Sequence, residues 1–197
     1  MTMTPSPRRE SPAQRMALVA LFAALMAAFG MIPKIDLPLG VPITAQTLGV
    51  MLAGCLLGAR LGFQAMALFL LAVAAGLPLL AGGRGGLGVF MAPSAGYLLG
   101  YALAAGVTGA LMRLLPQGQP LRTAISAFIA SALGGLVFLH AMGIAGLVLL
   151  AKMPLEKAFF ADLVFVPGDL VKCLLAAVVV HTVAKAMPHW PFGGRER

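Results

Sequence analysis

Asp169 and Lys172 stand three residues apart in 165–180, "FVPGDLVKCLLAAVVV", at the head of an apolar run. Each charge costs roughly 2.5–3.5 kcal/mol at the centre of a membrane helix on insertion scales. Three residues is close to one helical turn, so the two side chains share a face. An ammonium offers donors to a carboxylate, and an aspartate accepts from N–H groups. Held away from water, such a pair makes a polar clamp for a ligand. The alternative is an ordinary helix start at the membrane surface, with Asp169 as N-cap or first-turn acid and Lys172 as its partner. Against that, the preceding "AFFADLVFV" is apolar enough to reach into the membrane or fold over it, which sets the pair beneath an oily cover.

Two further stretches carry polar chemistry. In "VPITAQTLGV", Thr44, Gln46 and Thr47 place hydroxyls and an amide at the outer start of a span. They either line a cavity or cap and cross-link helices. In "LPLLAGGRGGLGVFMAPSAGYL", paired glycines flank Arg84 and a Pro93–Tyr97 turn follows. Glycines permit positive φ, so this loop can lie close over a ligand; a tight loop with a solvated arginine is the competing reading. Tyr97 serves either that site or the interfacial aromatic belt.

Other chemistries find little footing. No G-x-x-x-x-G-K-[ST] occurs, so ATP has no P-loop here, and the glycine loop follows no strand as a dinucleotide fingerprint would. His140, His181 and His189 are scattered without metal-ligand spacing. No serine sits in a G-x-S-x-G elbow. Cys55 and Cys173 both lie in apolar runs and suggest no disulfide framework.

The elements that must position these residues follow from composition. Of 197 residues 60% are hydrophobic and 10% charged, where a soluble domain carries about 25% charged residues. Apolar runs recur along the whole chain, predicting an all-α, polytopic membrane protein. Six spans are expected, at 16–32, 43–57, 61–80, 89–115, 123–150 and 170–187, framed by a basic tail at 1–15 and a short tail at 188–197. The first span has no convincing cleavage site after it and is read as retained. Six spans put both termini on one side. That side receives nine basic residues against two acidic ones, and the other five against four, which accounts for the net +8. The positive-inside rule then places both termini in the cytoplasm. Basicity reports topology and argues against a nucleic-acid partner.

In the first span Ala20, Ala24 and Ala28 recur every four residues. Such a flat stripe lets another helix approach closely inside lipid, whether from this chain or from a partner.

Taken together, the alanine-rich first helix, "GVPITAQTLGVMLAGCLLGARLG", "GLPLLAGGRGGLGVFMAPSAGYLLGY" and "FVPGDLVKCLLAA" resemble the BioY family, the biotin-binding S components of energy-coupling-factor transporters. The resemblance covers 17–180. It implies six helices, a vitamin pocket near the outer face, and outside loops acting as lids. It implies biotin as transported ligand with no cofactor, and substrate-binding roles for Asp169, Lys172, Thr44, Gln46, Arg84 and Tyr97. It further implies that Ala20, Ala24 and Ala28 meet a transmembrane coupling subunit, which works with two ATP-binding-cassette ATPases in the bacterial inner membrane. The chain would then be no enzyme. Two departures stand out: the family's Gly-Pro-Thr-Gly-Gly-Tyr turn reads Ala92–Tyr97 as "APSAGY", and Arg84 occupies a place where small polar residues are common. A different vitamin, or a stand-alone proton-coupled transporter using Asp169, are the rival readings. Dedicated ATPases, shared ones, or a solitary homo-oligomer all remain open from sequence.

Overall fold

The computed structural model describes residues 11–35 and 41–195; Arg8, Arg9, Glu10, Asp36, Glu196 and Arg197, which entered the charge balance, lie outside them. The described chain is helical: α1 (Pro12–Gly30), α2 (Gln46–Ala74), α3 (Ala95–Leu114), α4 (Pro120–Ala130), α5 (Leu139–Leu149), α6 (Leu155–Asp162) and α7 (Val166–Ala186). A π-helical segment, Ser131–Phe138, joins α4 to α5, and short 3₁₀ turns occupy Leu87–Met91 and Phe192–Gly194. Among the described residues, five helical stretches are long and apolar enough to cross a membrane.

α1 starts where the sequence supplies a capping box. The Ser11 hydroxyl accepts from the Gln14 amide (3.2 Å) and the Gln14 side chain accepts from the Ser11 amide (2.8 Å). Phe22, Met26 and Gly30, spaced by four, are buried against the bundle, chiefly on α2. Ala20, Ala24 and Ala28 fall on the opposite, exposed face. The alanine stripe therefore does not serve packing within this chain.

α2 is a hairpin rather than a rod. Gly58 has φ +81° and ψ −179° in its middle, a conformation that L side chains rarely adopt. Beyond it the chain folds back on itself: a methyl group on Gly62 would sit 3.0 Å from the Ala53 carbonyl. Nine residues apart on a continuous helix, the two would be roughly 13 Å distant. At the open end, Gln46 Nε2 donates to the carbonyl of Leu79 (3.3 Å), well past the end of the second arm. The two arms overlap the expected spans 43–57 and 61–80, with the reversal at Gly58 and the helix ending at Ala74.

The C-terminal turn seals that reversal. Trp190 Nε1 donates to the Leu56 carbonyl (2.9 Å), Phe192 is buried, and Gly193 lies against Gly58. Gln117, between α3 and α4, donates to the Met112 carbonyl (2.6 Å) and to that of Phe192 (3.4 Å). The hairpin apex, the α3–α4 connection and the C-terminal segment thus share one end of the bundle.

Several boundaries differ from the sequence reading: α1 starts at Pro12 rather than 16, and α2 ends at Ala74 rather than 80. The span expected from residue 89 begins as a helix only at Ala95, because Pro93 interrupts it and leaves Leu87–Met91 as a separate turn. The last span, expected from residue 170, begins at Val166, with Pro167 in its first turn. Outward-facing Leu21, Leu71, Val137, Leu149, Val171, Leu174 and Val178 leave the helices apolar toward their surroundings, as lipid contact requires.

Candidate ligand-binding site

The end of the bundle opposite Gly58 gathers the start of α2, the start of α3, α5 and the head of α7 around a cavity of about 50 Å³. Apolar lining comes from Val41, Leu80, Leu98, Leu139 and Phe165; polar lining comes from Thr44, Gln46, Thr47, Arg84, Tyr97, His140, Asp169 and Lys172. A few fixed polar groups in an oily wall is the usual make-up of a small-molecule site.

Asp169 is the hub. Its Oδ1 accepts from Lys172 Nζ (2.6 Å) and Thr47 Oγ1 (2.8 Å), and Lys172 Nζ also donates to Thr47 Oγ1 (2.8 Å). Its Oδ2 meets His140 Nε2 at 2.8 Å. The other ring nitrogen, Nδ1, lies 2.7 Å from Asp162 Oδ2, and Asp162 Oδ1 accepts from the Tyr97 hydroxyl at 2.6 Å. The Asp169 and Lys172 side chains are only 4% and 15% exposed. The N-cap reading of Asp169 is therefore set aside: Phe165 occupies the cap position, and the Asp169 oxygens go to side chains of α2, α5 and α7. The aspartate does sit in the first turn and does pair with Lys172, but under cover.

Counting lone pairs defines what such a site can still bind. A carboxylate offers about four acceptor positions and an ammonium three donors. Asp169 uses three, so one position remains on Oδ2; Lys172 uses two, so one N–H remains. The pair offers one donor beside one acceptor.

The other expected residues divide. Thr44 lines the cavity, and its hydroxyl also accepts from the Gln46 amide (3.3 Å), so lining and local capping are both true. Gln46 lines the cavity too, but its Nε2 is spent on the carbonyls of Leu79 and Met26. Arg84 comes to the cavity on a tight turn, pinned by Leu80 N to Arg84 O (3.0 Å), in which Gly82 and Gly83 have φ +80° and +68°. Its Nε donates to the Ala81 carbonyl (3.4 Å). The alanine stripe is elsewhere, along exposed α1.

Comparison with known proteins places the arrangement. The BioY family profile matches residues 3–189. A biotin transporter BioY from Rhizobium etli is 47% identical over 179 residues, covering 89% of this chain and 96% of the relative. One from Rhodobacter capsulatus is 44% identical over 184 residues, covering 89% and 95%. The crystal structure of an S-component for biotin from an ECF-type ABC transporter superposes with TM-score 0.81 at 30% identity, covering 90% of this chain and 95% of that one.

The chain belongs to the BioY family.

Within that family frame, sequence reasoning missed His140 and Asp162. Histidine spacing points to no metal site, and in the charge balance Asp162 is simply one of the four acidic residues on the less basic side. A signal for His140 was present: apart from Arg122 near the start, it is the one titratable residue in the 30-residue apolar stretch Pro120–Leu149. An ionisable group inside a span marks function by default. Nothing comparable marks Asp162, whose partners are 22 and 65 residues away.

Proposed function

We propose that this BioY chain is the biotin-capturing subunit of an energy-coupling-factor transporter in the bacterial inner membrane. The observation that carries the reading is the buried Asp169–Lys172 pair with one acceptor and one donor unspent. A cyclic urea presents an N–H beside a C=O, which matches that pair edge to edge. Leu80, Leu98, Leu139 and Phe165 suit the fused rings and the alkyl chain, and Arg84 suits the terminal carboxylate as a fixed cation. Thr44 and Tyr97 complete the wall, and Gln46 holds the α1, α2 and Leu79 backbones in place.

A drug-sized ligand occupies a pocket of roughly 300 Å³ or more, well above the present cavity. Entry therefore requires the outer loops to part. The two arms of α2 count as separate crossings, so α1, both arms, α3, α4–α5 and α7 make six, with both termini cytoplasmic. Clustering of the C-terminal turn with the hairpin apex and the α3–α4 connection supports that count.

The chain performs no catalysis in this reading. Ala20, Ala24 and Ala28 form the surface that meets a transmembrane coupling subunit, and two ATPases supply the energy that reorients the loaded subunit. Calorimetric titration of purified protein with biotin, with thiamine and riboflavin as competitors, tests the assignment. Saturable biotin binding that neither competitor displaces is expected; displacement by either refutes biotin specificity.

A further inference from the structure

We propose that His140 and Asp162 form a latch that pins α6 over the cavity and orients Asp169 for its ligand. The inference rests on the biotin-site reading for its consequence and on geometry for its existence. Asp162 itself does not line the cavity. Its carboxylate joins α6 to α3 through Tyr97 and to α5 through His140, and the far side of the same ring holds Asp169 on α7. The path from α6 to the ligand pair thus runs through one imidazole. Each ring nitrogen faces one carboxylate oxygen, so one imidazole bridges the two acids.

α6 has little else to hold it down. Leu155, Phe159 and Phe160 are exposed by 65%, 49% and 61%, leaving Ala158 and Asp162 as its buried side chains. Its tertiary packing is mainly on α5. Three residues on, Phe165 roofs the cavity, its ring 5.9 Å from that of Tyr97 and 6.4 Å from that of His140. The Phe165 amide donates to the Asp162 carbonyl (3.0 Å), so lifting Asp162 lifts the roof. The same motion frees His140 and removes a donor from Asp169 Oδ2. Lid position and ligand-site geometry are one variable. His140 and Asp162 are positioning residues that act through Asp169 and Phe165.

Amide hydrogen exchange and biotin dissociation, both on the full chain in lipid nanodiscs, test the latch. Asp162→Ala is expected to raise exchange over 155–165 and to speed biotin release, each about tenfold or more, as expected for loss of a buried charge-assisted hydrogen bond. Asp162→Asn keeps an acceptor for Tyr97 and a donor for a neutral ring, and restores most of the wild-type behaviour. Asp162→Ala combined with His140→Phe releases biotin no faster than His140→Phe alone. Unchanged exchange over 155–165 in Asp162→Ala, or effects of the two substitutions that multiply, overturns the latch. Wild-type protein that fails to bind biotin refutes the functional reading, while the exchange measurement still decides the latch.

Discussion

For a single side chain, the destination of the Asp169 oxygens separates a ligand site from a capped helix. Burying an ion pair is seldom a net gain, because desolvation costs several kcal/mol per ion and well-packed apolar residues often do as well. An Asp–Lys pair at 4% and 15% side-chain exposure is thus a poor stability device and a good binding device. Asp169→Asn and Lys172→Ala are expected to insert and fold yet bind biotin at least about a hundredfold more weakly, since each leaves a desolvated ligand group unpaired. Thr47→Val, which removes the hydroxyl that bridges the pair, is expected to cost about tenfold. Calorimetric affinities check all three; wild-type affinity in both charge variants would return the pair to a purely local role.

Among the elements, α2 and α1 make separable predictions. The α2 reversal depends on Gly58, whose φ of +81° and contact with Gly193 leave no room for a side chain. Gly58→Ala is expected to destabilise the protein by about 1–3 kcal/mol from backbone strain, with steric conflict added. A lowered unfolding temperature in detergent checks this, and a wild-type value would show that the reversal does not need glycine. α1 buries Phe22 and Met26 on one face and shows its alanines on the other. Small residues on an outward face have no role in this chain's own packing, and they permit the close approach of a second helix. Ala24→Leu should therefore leave biotin affinity unchanged while abolishing uptake by the assembled transporter; normal uptake would remove the proposed interface.

Over the whole molecule, charge and connectivity act together. Arg60, Arg113 and Arg122 follow or flank the hairpin apex and the α3–α4 connection, the end where the C-terminal turn docks. In the proposed topology that end is cytoplasmic, as the positive-inside rule expects. A C-terminal fluorescent-protein fusion should be fluorescent and a C-terminal alkaline phosphatase fusion inactive; active phosphatase would invert the topology. In the same proposed topology the opposite end, with the cavity, α6 and the Arg84 turn, faces outward, where a capture subunit would meet its ligand.

An all-helical membrane class and the Asp169–Lys172 pair were legible in the residues alone. Hydropathy is a local property, and a charge pair one turn apart on a helix needs no tertiary knowledge to be seen. Thr44, Gln46, Arg84 and Tyr97, which the family resemblance singles out, all line the cavity, but the bonds each one makes are not written in its neighbourhood. The folded chain alone reveals that Thr47 joins the pair from 122 residues away, that His140 links two carboxylates, and that the alanine stripe faces outward. Such facts depend on which helix faces which, and that is set by the fold-back at Gly58 and the π segment before α5 rather than by any local pattern. A hydrogen bond between distant residues leaves almost no trace in either residue's neighbourhood.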